Sequence, residues 1–192
     1  MVRGGVPLRG DALMMAHALV VVDLQNDFLP PDGALAVPAG EEVIEPINAL
    51  LAGGGFDLVV ATRDWHPPDH ASFISQGGPW PPHCVRDTPG AQISSAIDHV
   101  AIDVVIDTGS TRDAEGYSAF ESEELRELIR ARGLDVLTVT GLATDYCVKH
   151  TARDALREGL DVRIPTGAVR GIDADGSRRA LSELAEAGAQ LV

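Results

Sequence analysis

Short, nearly continuous apolar runs separated by longer amphipathic stretches constrain this chain more than any other feature of it. The runs are ALVVVD at 18–23, LVVAT at 58–62, VVID at 104–107 and VLTVT at 136–140, with shorter ones at 162–164 and 189–192. A strand that is apolar on both faces must be covered on both, as in a parallel sheet enclosed by helices. Helical stretches at 41–52, 121–132, 145–158 and 175–187 alternate with the runs. In the last of them Ala180, Leu184 and Ala187 recur at helical spacing, while Arg178, Arg179, Glu183 and Glu186 can face water. Gly133, Gly159 and Gly188 follow three of the stretches, where a left-handed residue ends a helix. The alternation predicts a three-layer α/β/α sandwich around a six-stranded, mostly parallel sheet. A chain of 192 residues suits one such domain, expected over 17–192, with 1–16 as a loosely ordered extension.

Charge narrows the partners. Fifteen basic against 29 acidic side chains leave a net charge of −14, a field that repels phosphate backbones and anionic lipid. A nucleic-acid or membrane-surface role is therefore not expected. The apolar run at 18–22 is far short of the roughly 20 residues that span a bilayer. Two cysteines, Cys84 and Cys147, make no disulfide framework, which points to a reduced, cytoplasmic setting. No G-x-G-x-x-G follows the first strand, so a dinucleotide-binding fold is excluded.

Ligand sites in open α/β sheets lie beyond the carboxyl ends of the strands, and polar clusters fall there. Asp23 closes the first strand; burial there raises a carboxyl pKa towards that of a useful general base, although an Asp can equally cap the turn that follows. After the second strand comes a long proline-rich segment at 64–89, too long to be idle connection in a compact domain. It holds Asp64, His66 and His70, then Trp80 and His83. Asp-x-His in extended backbone puts both side chains on one side, and a further His completes a mixed N/O donor set for Zn²⁺, Fe²⁺ or Mn²⁺. Cys147 follows the fourth core strand near a helix start, where the dipole and free N–H groups favour a thiolate and could hold an oxyanion; a small buried packing cysteine is the competing reading. Cys84 reads as structural. Tyr117 and Phe120 can line a pocket or cover the core.

Taken together, ALVVVDLQNDF (18–28), GALAV (33–37), VVATRDWHPPDHASF (59–73), WPPHCVRDTPGA (80–91), EGYSAF (115–120), GLATDYCVKHTARDAL (141–156) and GAVRGID (167–173) resemble the isochorismatase-like cysteine hydrolases, most closely the nicotinamidase (pyrazinamidase) branch. The segments stand in family order and cover nearly all the chain after residue 17. The resemblance implies Cys147 as nucleophile, Asp23 as the acceptor of its proton, and Asp64, His66 and His83 as ligands of one divalent metal ion. His70 is implied as an extra ligand or as a partner behind the ligands. Phe28, Trp80, Tyr117 and Tyr146, with Leu35 at the edge, match the pocket for an aromatic ring. Leu142–Ala143 matches a non-proline cis peptide that turns the N–H of Ala143, with that of Cys147, towards the substrate oxygen. The reaction implied is hydrolysis of nicotinamide to nicotinate and ammonia, a step of NAD salvage. The expected partners are a small amide and further copies of the chain in a homo-oligomer.

One position departs from the family pattern. The family triad includes a lysine in a Lys-Gly motif ahead of the Tyr-Ser pair, and here Thr108 stands at that place. The chain's single lysine, Lys149, lies two residues after Cys147 on the helix and should point elsewhere. The departure leaves three readings: an arginine such as Arg86 or Arg112 swings in, the enzyme is a weaker amidase or acts on another small amide, or the fold binds a ring compound without catalysis. Asp23 and Cys147, both present, speak against the last.

Overall fold

A computed structural model describes residues 15–192, so the expected extension lies outside the described residues except at its end, where Ala16 already belongs to a strand. The chain forms β1 (Ala16–Val22), α1 (Ile44–Gly53), β2 (Leu58–Asp64), β3 (Val104–Thr108), α2 (Glu123–Arg132), β4 (Leu134–Leu142), α3 (Lys149–Arg157), β5 (Asp161–Ile164), β6 (Val169–Arg170), α4 (Ala174–Glu186) and β7 (Gln190–Leu191). The strand order is β3-β2-β1-β4-β5-β7, with every pairing parallel.

The sheet has seven strands where the apolar runs predict six. β6 is only two residues long and pairs with Gly141 and Leu142 at the end of β4. So short a strand carries no periodicity of its own; it exists because β4 runs on past β5 and leaves an edge to be paired.

Alternation along β1 divides the core. Ala18, Val20 and Val22 face one layer with Leu125 and Ile129 of α2, Ala152 and Ala155 of α3, and Leu184 of α4. Leu19 and Val21 face the other with Ile47 and Leu51 of α1. Each fully buried Val, Leu or Ile contributes about 1.5–3 kcal/mol, so the sheet is held from both sides as the composition of its strands requires. From β1 the chain steps outward through β2 to β3, then returns to β4 on the opposite side. That reversal opens a crevice above the carboxyl ends of β1 and β4, the usual place for a ligand in such a sheet.

Candidate active site

Asp23 stands at the crevice, immediately after β1. Its backbone is in the left-handed region at φ 46°, a conformation Asp tolerates better than most residues. Thr62 of β2 holds it there, donating from Oγ1 to Asp23 Oδ1 at 2.6 Å. From the far side of the crevice Cys147 presents its sulfur within 4.8 Å of carboxylate oxygens of Asp23 and Asp64. Cys147 sits in a single wide helical turn, Thr144–Val148, that precedes α3; the N–H of Val148 reaches back to the carbonyl of Ala143 at 3.1 Å.

Burial dominates the electrostatics of this pair. It pushes Asp23 up to about 8, with the nearby charge of Asp64 adding to the effect and hydrogen bonds from Thr62 and Cys147 opposing it. Burial also raises the Cys147 thiol well above its ordinary value, followed by the charges of Asp23 and Asp64. The helix start expected to favour a thiolate is outweighed, first by burial and then by the two acidic neighbours of the sulfur. In the metal-free site the pair is a thiol beside a carboxyl that keeps its own proton to about pH 8, and Asp23 can act as base towards the thiol once that proton is lost.

Beside it lies the donor cluster. Asp64, His66 and His83 are all buried and each offers one ligand atom, the three lying within 4.8 Å of one another. His66 Nδ1 is engaged by the carbonyl of Gly109 at 3.0 Å and His83 Nδ1 by that of Pro81 at 2.8 Å, which leaves both Nε2 atoms facing Asp64. Asp64 Oδ2 is 3.3 Å from His66 Nε2 and 3.8 Å from His83 Nε2. Donors about 2.0–2.1 Å from a tetrahedral ion stand about 3.3–3.4 Å apart, so the set fits a divalent metal with little adjustment. For His66 desolvation is the largest single influence and lowers its pKa, but the hydrogen bond and charge of Asp64, with Gly109 and Asp23, together raise it. Burial lowers His83.

His70 is not among these donors. Its ring stacks on His66 with centroids 4.0 Å apart, and its nitrogens are taken by Ser72 Oγ at 2.7 Å and the Ala114 carbonyl at 2.9 Å. Of the two places expected for it, His70 lies beside His66 and outside the three-donor cluster. The long segment that carries these residues is tied down: His66 and Val85 form a bridge, and Phe73 is fully buried among the rings of His66, His70 and His83. Cys84 is buried within it and donates its N–H to Asp27 Oδ2 at 2.7 Å, as a structural residue does.

Above Cys147 is a small, mainly apolar pocket lined by Phe28, Leu35, Trp80, Tyr117, Ala143 and Tyr146, with Asp64 and His83 at one side. Trp80 Nε1 donates to the Tyr117 hydroxyl at 3.0 Å, and the Trp80 and Tyr146 rings meet edge to face at 5.0 Å. All five side chains expected around an aromatic ring converge here, and the Leu142–Ala143 peptide is cis.

Among the described residues no arginine takes the place of the absent lysine. Arg112 is half-exposed beside Asp113 and Asp69, Arg86 is exposed, and Lys149 pairs with Glu183 of α4 at 2.5 Å. The charges that act on Asp23 are those of Asp64 and His66. Thr108 is buried, and its hydroxyl lies 3.2 Å from Asp64 Oδ1 and 3.3 Å from the Arg63 carbonyl.

Sequence reasoning missed three contributors. Gln25 is wholly buried and clasps the main chain of Asp64, accepting from its N–H and donating to its carbonyl, both at 2.8 Å. Ile172 completes the pocket wall, and Asp145 secures it by accepting from the N–H groups of Ile172 and Asp173 at 3.0 and 2.9 Å. A Gln two residues past a strand signals only a polar turn, and a lone Ile in a loop signals nothing; both roles depend on remote partners.

The fold and site define a class: an α/β protein with a buried carboxyl–thiol pair beside a three-donor cluster at the switch point of a parallel sheet. The chain belongs to the isochorismatase family, whose profile, described as the Isochorismatase domain, matches residues 17–192. It is 38% identical over 203 residues to the nicotinamidase of Escherichia coli (strain K12), covering 93% of this chain and 95% of that one. Among solved structures, the pyrazinamidase of Pyrococcus horikoshii in complex with zinc is 42% identical at a TM-score of 0.85, covering 92% of this chain and 98% of its own. A protein of L. infantum in complex with nicotinate is 38% identical at a TM-score of 0.89, covering 93% of each.

Proposed function

We propose that this protein is a metal-dependent cysteine amidohydrolase that converts nicotinamide to nicotinate and ammonia. The observation that carries the reading is the buried Asp23–Cys147 pair at the base of an aromatic pocket that opens onto the Asp64 cluster. Likeness to a nicotinamidase and to a nicotinate-bound structure supports the substrate.

In this reading the pyridine ring lies among Phe28, Trp80, Tyr117 and Tyr146, which exclude water from the carboxamide. Asp23 takes the proton of Cys147 as sulfur attacks the carboxamide carbon. The N–H groups of Ala143 and Cys147 receive the oxyanion. Asp23 returns the proton to the departing nitrogen, ammonia leaves, and a thioester remains. Asp23 then draws a proton from water as its oxygen attacks the thioester, and the released sulfur is reprotonated as nicotinate departs. Asp64, His66 and His83 hold the metal, with zinc favoured by the likeness to a zinc-bound pyrazinamidase. When bound, the ion supplies Lewis acidity and a fixed positive charge at the pocket's side.

Ammonia release from nicotinamide, with metal content measured on the same sample, tests the reading. His66→Ala should lose metal and activity together; stoichiometric metal in that variant would sink the ligand assignment. Thr108 at the lysine position favours a second reading, hydrolysis of a different small amide, and a panel of amides separates the two. A cytoplasmic setting and a homo-oligomer go with the proposal, the latter open to light scattering.

A further inference from the structure

We infer that Thr108 is a positioning residue for Asp64: its hydroxyl takes up one carboxylate oxygen so that the other is presented to His66 and His83. The inference rests on the metal-site reading above and assigns a task to the residue that stands where the family pattern has its lysine.

β2 and β3 pair Asp64 with Thr108 in register, so the two side chains are neighbours on the same face at the end of the sheet. Thr108 Oγ1 lies 3.2 Å from Asp64 Oδ1 and 3.3 Å from the Arg63 carbonyl oxygen, so its one proton is shared between these two acceptors, and Thr108 and Asp64 are each 5% exposed or less. The other oxygen, Oδ2, is the one that lies 3.3 Å from His66 Nε2 and 3.8 Å from His83 Nε2. The two oxygens therefore have separate tasks, and the division favours a single metal bond from Asp64.

The next residue acts on a second ligand. The Gly109 carbonyl receives His66 Nδ1 at 3.0 Å, and the Thr108 carbonyl receives the N–H of Trp65 at 2.9 Å. A Cβ at Gly109 would fall 2.4 Å from His66 Cε1, so the backbone approaches the imidazole as closely as glycine allows. The Thr108–Gly109 pair thus grips the Asp64–Trp65–His66 segment from the β3 side, while Gln25 grips it from the β1 side. A carboxylate whose second oxygen is already bonded loses less rotational freedom when it ligates, and a hydroxyl achieves this without placing a second positive charge beside the ion.

The test is zinc affinity, measured by competition with a chromophoric chelator on wild type, Thr108→Val and Thr108→Ser. Valine keeps the shape and the strand preference but removes the donor, and loss of such a partner weakens metal binding about 10–100-fold. Serine keeps the donor and should restore most of the affinity. The zinc concentration that half-activates amide hydrolysis should rise in Thr108→Val by the same factor as Kd. Melting in chelator reports whether each variant is folded; if valine prevents folding, Thr108→Ala is read in the same way. Equal Kd for wild type and Thr108→Val overturns the inference, as does lost turnover at saturating zinc with Kd unmoved, because Thr108 would then act on the Asp23–Cys147 pair. A wild-type protein that takes up no zinc overturns the metal-site reading itself, and the inference with it.

Discussion

Asp23 shows how one residue's surroundings override its type. Its carboxyl is pushed from 3.8 up to about 8 by burial and by the charge of Asp64. In the metal-free protein the native state keeps this proton between about pH 4 and about pH 8, whereas the unfolded chain releases it. Unfolding then releases protons over that window, so the contribution of Asp23 to stability is greatest at low pH and is lost as pH rises towards 8. One proton corresponds to a slope of about 1.4 kcal/mol per pH unit. Urea unfolding in chelator between pH 4 and pH 8 should show a shallower decline for Asp23→Asn than for wild type, by close to that slope. Parallel curves would mean that the carboxyl is ionised in the native state. The sequence placed Asp23 at a strand end and hence in reach of a site, and the family resemblance paired it with Cys147, 124 residues further along; it did not contain Thr62, 39 residues along, as the donor that holds the carboxyl.

At the scale of elements, the crevice depends on how closely β1 and β4 approach at their ends. Val22 of β1 pairs with Gly141 of β4, and Gly141 has φ +100°. A Cβ there would lie 2.0 Å from the Val22 carbonyl oxygen, a clash with backbone that no rotamer relieves. Gly141→Ala combines this overlap with a disfavoured dihedral, and each costs about 1–3 kcal/mol, so we expect a loss of more than about 2 kcal/mol by chemical denaturation. A variant within 0.5 kcal/mol of wild type, the usual range for a harmless surface change, would contradict the account. The turn beyond is likewise set by its setting. The pattern at 145–158 predicts a helix from Asp145, yet the chain makes one wide turn over Thr144–Val148 before α3 begins at Lys149. Local spacing does not distinguish a five-residue from a four-residue hydrogen bond, and wide turns recur at functional sites where a side chain must be aimed.

For the whole molecule, the donor cluster is a cross-link. Asp64 ends β2, His66 and His83 come from the proline-rich segment, and Thr108 and Gly109 bring in the end of β3. An ion bound by the native state alone stabilises by about 2.7 kcal/mol at a hundred times its Kd. Removing it with chelator should lower Tm by several degrees, taking about 2–4 °C per kcal/mol for a chain of this size, and added zinc should restore it. His66→Ala should show no such response. A wild-type melt insensitive to both chelator and zinc would count against a structural contribution from the metal.

The strands, the covering helices and the three-layer order follow from the sequence alone, because a residue's tendency to be buried on one face or both is written in local periodicity. The candidate residues Asp23, Asp64, His66, His83 and Cys147 were legible too, since polar side chains at the ends of apolar runs have few structural reasons to be there. The family resemblance had grouped Asp23 with Cys147 and Asp64 with His66 and His83; what tertiary structure decided is what surrounds them. It set His70 behind His66, sent Lys149 to Glu183, joined Thr108 to Asp64, and recruited Gln25 and Ile172. Each of those contacts depends on strand register and loop closure between segments far apart in the chain, and hydrogen bonds, unlike hydrophobic burial, act only at short range and fixed angle.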